Sequence, residues 1–292
     1  MEMTWISNLL TAPTNILWTS LISAATSVIV AFIFRVREHK LKLKADYEHE
    51  QRKALRDIIG KSHGRFLHAC NNLNYRFFNL YTNHDKGWLE TKNLRDQKNY
   101  YINSFVTRFM SVFILVREFE KKSLYIDSRI ANKTDLIFVK YVAALQWCMT
   151  DVKLFHSISY DASEPIDHFF SDSLRTYCEE CTGDNDTHLS AESMLSTGEK
   201  FEPIFLFFVG LSPNEKRLRW DRLVCLHLLI VTFVNTIGYP EHITSKEKIK
   251  KIANKIQNKK ILTNLATWLP RHGLNKDPHS KQLIKICSAL GE

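Results

Sequence analysis

The sequence predicts an all-α protein in which one N-terminal transmembrane helix continues into an all-helical cytoplasmic domain. Three observations support this fold class. Residues 3–34 carry no charged side chain. Glycine and proline are few, 9 and 7 in 292 residues, whereas 45% of the chain is apolar. After residue 42, apolar residues recur every three to four positions, which is the period of a helix. Few turn residues and much apolar surface favour long packed helices over sheets.

The first element is an apolar stretch long enough to cross a bilayer. Residues 16–34 are 19 residues, and about 20 helical residues span the roughly 30 Å of hydrocarbon. Trp18 lies near one end, where aromatic side chains concentrate at membrane interfaces. Before Pro13, we expect a short interfacial turn that contains Trp5 and Leu9.

The charges around this stretch predict its orientation. Five basic residues follow it directly: Arg35, Arg37, Lys40, Lys42 and Lys44. Only Glu2 precedes it. A cleaved signal peptide has the opposite order, with positive charge before its apolar core. The positive-inside rule therefore predicts a retained single-pass anchor with the N-terminus outside and the remaining chain in the cytoplasm.

Small residues recur at every fourth position of the anchor, at Thr19, Ser23, Ser27 and Ala31. This spacing places them on one side of a helix. In lipid, small side chains let two helices approach closely, and hydroxyls bond across the contact. The pattern favours self-association of the span. The alternative is that each hydroxyl bonds to a carbonyl one turn earlier in its own helix.

We divide the chain into an anchor, residues 1–34, and a helical cytoplasmic domain, residues 35–292. Periodicity and capping residues predict helices over about 42–81, 100–125, 128–158, 163–181, 212–237 and 246–260. Ser212 and Glu215 read as a capping box at a helix start. Residues 223–238 are apolar but too short for a comfortable membrane crossing, so we expect a buried central helix and keep a second span as the alternative.

The net charge of +9 is concentrated in two places. Residues 35–45 carry +4 and residues 246–260 carry +6, so the rest of the chain is close to neutral at −1. The second segment alternates isoleucines with lysines, including Lys248, Lys250, Lys251, Lys255 and Lys259. This helix is predicted to lie on the inner membrane surface, to bind nucleic acid or to present a solvated face. The absence of aromatic residues for base stacking disfavours nucleic acid as a partner.

Cysteine spacing gives one candidate metal site. Cys178 and Cys181 are two residues apart, with His168 upstream and His188 downstream. A zinc ion needs four such ligands, but no second close pair completes the usual pattern. We therefore predict no metal and no disulfide, the latter because cytosolic thiols stay reduced.

Two stretches resemble the motif of HEPN-type ribonucleases, in which an arginine and a histidine four to six residues apart act on an RNA phosphate. They are Arg56 with His63 and Arg222 with His227. The first has the polar Asp57 after its arginine, whereas the second departs from the motif with Leu223. Such pairs also arise by chance. The structural alternatives are a core histidine at position 227 and a surface histidine at position 63.

The sequence contains no glycine-rich phosphate loop, nucleophile elbow, paired-carboxylate signature or dinucleotide fingerprint, and we expect no cofactor. In layout, one span followed by a helical domain resembles the single-span effectors of bacterial anti-phage systems of the retron or cyclic-nucleotide type. The resemblance implies a non-enzymatic inner-membrane protein that binds a protein partner or sensor and oligomerises to damage the membrane. A membrane-tethered HEPN-like ribonuclease and a non-toxic scaffold remain as alternatives.

Overall fold

A computed structural model describes residues 4–94, 96, 99–163, 167–182, 190–196 and 199–291, with side chains from residue 18 onward except residue 192. The described residues contain no β-strand, which confirms the all-α class. Their α-helices are α1 Thr4–Asn83, α2 Tyr100–Ser123, α3 Lys133–Thr150, α4 Ser171–Glu180, α5 Ala191–Ser196, α6 Glu202–Phe208, α7 Arg219–Ile237, α8 Lys246–Ala253, α9 Lys259–Arg271 and α10 Pro278–Gly291. The chain forms two compact units, Met1–Ala54 and Leu55–Glu292.

The first unit is helical throughout its described length, and none of its described side chains is buried. The helix includes Pro13, so the predicted interfacial turn before this proline is wrong. The physical reason is that a single proline removes one backbone hydrogen bond but need not end a helix in an apolar sequence.

The second unit is built around α7. Of its 19 residues, 17 are buried, as expected for a helix that is apolar on all sides. The predicted central helix is therefore confirmed, and this segment lies inside the helical unit. Helices α3, α8 and α10 pack against α7. A cluster of edge-to-face and tilted aromatic rings joins α1, α2, α3 and α7: Phe66, Phe119, Phe138 and Phe233.

Three buried charged residues at the start of α7 close the ends of other helices. Arg219 donates to the carbonyls of Leu206 and Phe207 at the end of α6. The Asp221 carboxylate accepts from two backbone N–H groups that precede α9. Arg222 donates to two carbonyls at the end of α3. Helix ends leave backbone groups unsatisfied, so these side chains replace water at buried termini.

Several predicted boundaries differ from the structure. Helix α7 begins at Arg219 and not at Ser212. Only one contact of the capping box forms, from the Ser212 N–H to the Glu215 carboxylate, because the Ser212 hydroxyl accepts from the Asn214 N–H within a turn. The Glu215 carboxylate also binds Arg219. Helix α4 begins at Ser171, and the segment predicted as one helix over 246–260 is divided between α8 and α9. Helix α6 was not predicted, and α5 lies where a loop was expected.

Candidate functional site

The apolar stretch of α1 presents its side chains on all sides. Every residue from Trp18 to Phe34 is exposed in the first unit. Two described helices are long and apolar enough to cross a membrane; one contains this stretch and the other is α7, whose apolar window is 89% buried. The N-terminal stretch is therefore the candidate membrane span, because its apolar side chains are exposed and do not pack against other helices.

Hydroxyl groups in the span form hydrogen bonds within their own helix. Ser27 donates to the carbonyl of Ser23 at 2.9 Å, and Thr26 donates to that of Ile22 at 2.7 Å. Ser27 therefore uses its proton within its own helix, while its oxygen retains acceptor capacity for a neighbouring helix. Thr19, Ser23 and Ala31 are exposed on the same helix. The basic residues Arg35, Arg37, Lys40, Lys42 and Lys44 are exposed directly after the span.

The second basic segment is amphipathic, as its sequence indicates. Its isoleucines and Ala253 are buried in the core of the second unit. The side chains of Lys248, Lys250, Lys251, Lys255 and Lys259 are exposed. Since α7 and α10 cover the apolar face of α8, that face is not free to enter a bilayer. The lysines can contact anionic groups only from the solvated side.

The Arg222 and His227 pair is fully buried. His227 lies between the Asn74 amide oxygen, 2.6 Å from Nε2, and the Tyr81 hydroxyl, 3.0 Å from Nδ1. Burial lowers the pKa of His227 to about 3, so the ring is neutral at physiological pH. The Arg222 guanidinium stacks on the Phe155 ring at 4.2 Å. Neither side chain reaches solvent, where an RNA phosphate would bind.

The Arg56 and His63 pair makes contacts with other helices. The Arg56 side chain is 67% exposed, and its Nε is 3.7 Å from the Asp135 carboxylate. His63 is half-buried and its Nε2 is 3.0 Å from the Ile237 carbonyl oxygen, so it donates at the end of α7. Its ring stacks on Phe138. His63 thus joins α1 to the end of α7 and does not lie on a free polar face.

The candidate zinc ligands are only partly described. Cys178 and Cys181 are buried, and burial raises the pKa of the Cys181 thiol to about 12. The His168 imidazole bonds to the Tyr160 hydroxyl. His188 lies outside the described residues. Within the described ranges, no three histidine, cysteine or acidic side chains are grouped as metal ligands.

A cavity of about 710 Å³ opens where α1 ends and α2 begins. None of its lining residues was a predicted site residue; they include Arg76, Trp88, Lys92, Tyr101 and Asn99. Arg76 is only 8% exposed, and its guanidinium lies 4.5 Å from the centre of the Tyr101 ring. The only sequence signal was a cluster of aromatic and basic residues around a predicted loop.

The wider comparisons add no relative. No protein-family model, curated protein or solved structure matches this chain.

Proposed function

We propose that this protein is an anti-phage membrane effector. Its N-terminal helix spans the bacterial inner membrane once, with the N-terminus outside. The helical unit binds a trigger or partner in the cytoplasm. Trigger binding shifts the protein towards a state in which spans associate through Thr19, Ser23, Ser27 and Ala31 and make the membrane permeable.

The exposure of all side chains from Trp18 to Phe34 carries this proposal. Each large apolar side chain left in water forgoes about 1.5–3 kcal/mol relative to burial. The stretch contains several such side chains, among them Leu21, Val28, Phe32 and Phe34. Hydrocarbon removes this cost, and the length of the stretch suits one crossing. The basic cluster that follows supports a cytoplasmic location for the rest of the chain.

The first experiment measures what expression does to bacterial cells. Membrane potential, uptake of an impermeant dye and integrity of total RNA are followed after induction of the full chain. We expect depolarisation and dye uptake with intact RNA, and loss of this effect when residues 1–34 are deleted. RNA decay with intact potential would instead support the ribonuclease, and no effect on either would support the scaffold.

The second experiment tests the orientation. All six native cysteines are buried, so an introduced surface cysteine gives a specific label. Glu2→Cys should react with an impermeant maleimide in intact cells. Tyr125→Cys, at a position 89% exposed, should react only after the inner membrane is permeabilised. The opposite labelling pattern would reject the proposed topology.

A further inference from the structure

We infer that the cavity between α1 and α2 binds a nucleotide, with its phosphate at Arg76 and its base against Trp88 and Tyr101. This inference names the chemical class of the trigger and, for that role, rests on the proposed function. The binding itself can be measured without any membrane effect.

Arg76 lines the cavity and shares the Ser104 hydroxyl with Arg108, which lies behind the cavity wall. Arg76 Nη2 and Arg108 Nη1 both donate to the Ser104 hydroxyl, at 2.5 and 2.8 Å. Neither has a carboxylate partner among the described residues, and the buried Arg76 Nε has no hydrogen bond. The pKa of Arg108 is lowered by burial and by the charge of Arg76. A phosphate bound at Arg76 would accept hydrogen bonds from its guanidinium group and offset the repulsion between the two arginines.

Other arginines on the same two helices show that this arrangement is unusual. Arg65 on α1 donates to the Glu118 carboxylate at 2.8 Å. Arg117 on α2 donates to Glu179 at 2.7 Å. Each of these charges is therefore neutralised within the protein. The two arginines that donate to Ser104 have no such carboxylate partner among the described residues, although Arg76 is among the most buried arginines of the described chain.

Aromatic rings lie next to the cationic groups. The Trp88 and Tyr101 ring centres are 5.2 Å apart with an interplanar angle of 54°. Trp88 is 46% exposed, so one side of the indole is free to contact a base. The Tyr101 hydroxyl makes no hydrogen bond of normal geometry in the described structure. Stacking on such rings is a general source of affinity for nucleobases.

The remaining lining suits a nucleotide better than a simple anion. Glu90 lines the same cavity, and its carboxylate would repel free phosphate. It would, however, accept hydrogen bonds from sugar hydroxyls or from base amino groups. The volume of about 710 Å³ also exceeds what an inorganic anion fills, and it lies within the range of small-molecule sites.

Described residues beside the cavity are held by hydrogen bonds and packing. Gly87 adopts a left-handed conformation with φ of 66°. Leu89 is buried, and its carbonyl accepts from the Gly210 N–H at 2.8 Å. The Asn99 side chain donates to the Asn93 carbonyl at 2.6 Å. A site that is formed before binding loses less entropy when the ligand arrives.

The test is calorimetric titration of the purified full chain in detergent micelles. AMP, GMP, CMP and UMP are the probes, with inorganic phosphate and adenosine as partial ligands. We expect at least one nucleotide to bind, and phosphate and adenosine to bind at least about 10-fold more weakly. Arg76→Gln and Trp88→Ala should each weaken binding by about 10-fold or more.

Trp147→Ala is the matched control, because Trp147 is 39% exposed and lies on α3. It should leave the affinity unchanged. Thermal unfolding checks that each variant folds. Because Trp88 is half-exposed, its replacement by alanine leaves the buried core unchanged. The inference is overturned if no nucleotide binds at about 1 mM, if Trp88→Ala binds as tightly as the parent, or if phosphate alone equals the nucleotide. Tighter binding of a single-stranded oligonucleotide would also overturn it.

Failure of this inference and failure of the proposed function give different results. If a nucleotide binds but does not change dye uptake, the site stands and its role as a trigger is rejected. If dye uptake occurs and no nucleotide binds, the effector stands and the nucleotide is rejected.

Discussion

His227 Nε2 on α7 lies 2.6 Å from the amide oxygen of Asn74 on α1. The second ring nitrogen, Nδ1, is 3.0 Å from the Tyr81 hydroxyl. A neutral imidazole has one donor and one acceptor nitrogen, and both are satisfied here. These hydrogen bonds join the central helix α7 to α1. Because the imidazole must be neutral to make both of them, the contribution of His227 to stability depends on pH.

We expect His227 to make the protein less stable in mild acid. Its pKa is about 3 when folded and about 6.5 when unfolded. Between these values the unfolded chain binds the extra proton, so stability falls as pH decreases below about 6.5, by up to about 1.4 kcal/mol per unit. His227→Gln should flatten this slope, measured by denaturant unfolding between pH 5 and 7. His168, whose pKa is also lowered, contributes in the same direction in both proteins. An unchanged slope would contradict the prediction.

We expect Arg222 to be required for stability. Its Nη1 atom donates to the carbonyls of Cys148 and Asp151, at 2.8 and 3.1 Å. Arg222→Ala leaves these buried acceptors unsatisfied and opens a cavity, so unfolding should become easier by about 2–4 kcal/mol. Arg217→Ala, at a part-exposed position in the same charged segment, should cost about 1 kcal/mol or less. A folded Arg222→Ala protein of unchanged stability would reopen a role for Arg222 in catalysis.

Self-association of the span should depend on the face that carries Ser27. Ser27→Leu places a large side chain on the small-residue stripe, and we expect it to reduce crosslinked oligomers about 3- to 15-fold. Ala25→Leu is the matched control, because position 25 lies on the opposite side of the same helix. Crosslinking in membranes measures both variants. If Ala25→Leu disrupts the oligomer as much as Ser27→Leu does, the proposed contact face is wrong.

The two faces of α8 should respond differently to substitution. Ile252 is buried, and Ile252→Ala should lower the free energy of unfolding by about 2–5 kcal/mol. Lys251→Ala removes an exposed side chain at the next position, and its effect should remain within about 0.5 kcal/mol. Thermal unfolding distinguishes the two. A large effect of Lys251→Ala would show that the lysine face is packed and not solvated.

Local signals predicted the long helices well and the short ones poorly. Sustained apolar periodicity located α2 within two residues at its C-terminal end, and the predicted end of α7 at residue 237 is confirmed. The start of α7 was misplaced because Ser212 and Glu215 make cap-like contacts in a turn, where the Ser212 hydroxyl accepts from Asn214 and the Glu215 carboxylate accepts from Ser212. A cap is a local interaction, so the same residues can satisfy it with or without a helix behind them. Helix α6 has only seven residues, too few for periodicity to reveal.

Some of the candidate sites could also be predicted from local sequence, whereas others could not. The membrane stretch and the amphipathic character of α8 follow from the order of residues, because hydrophobicity is a property of each side chain and its position in a helix. The cavity was not predicted, since Arg76 and Tyr101 are 25 positions apart and are brought together only by the packing of α1 against α2.

By itself, the sequence determined the helical class, the candidate span and the positive charge that follows it. Only the tertiary structure decided which charged residues are sealed in the core and which are left without a partner. Arg222 and His227 look like a reactive pair in the sequence, yet helices distant along the chain enclose both side chains, bond both ring nitrogens of His227 and bind Arg222 through its Nη1 atom. Burial and pairing depend on contacts between distant segments, and a one-dimensional pattern does not specify these contacts.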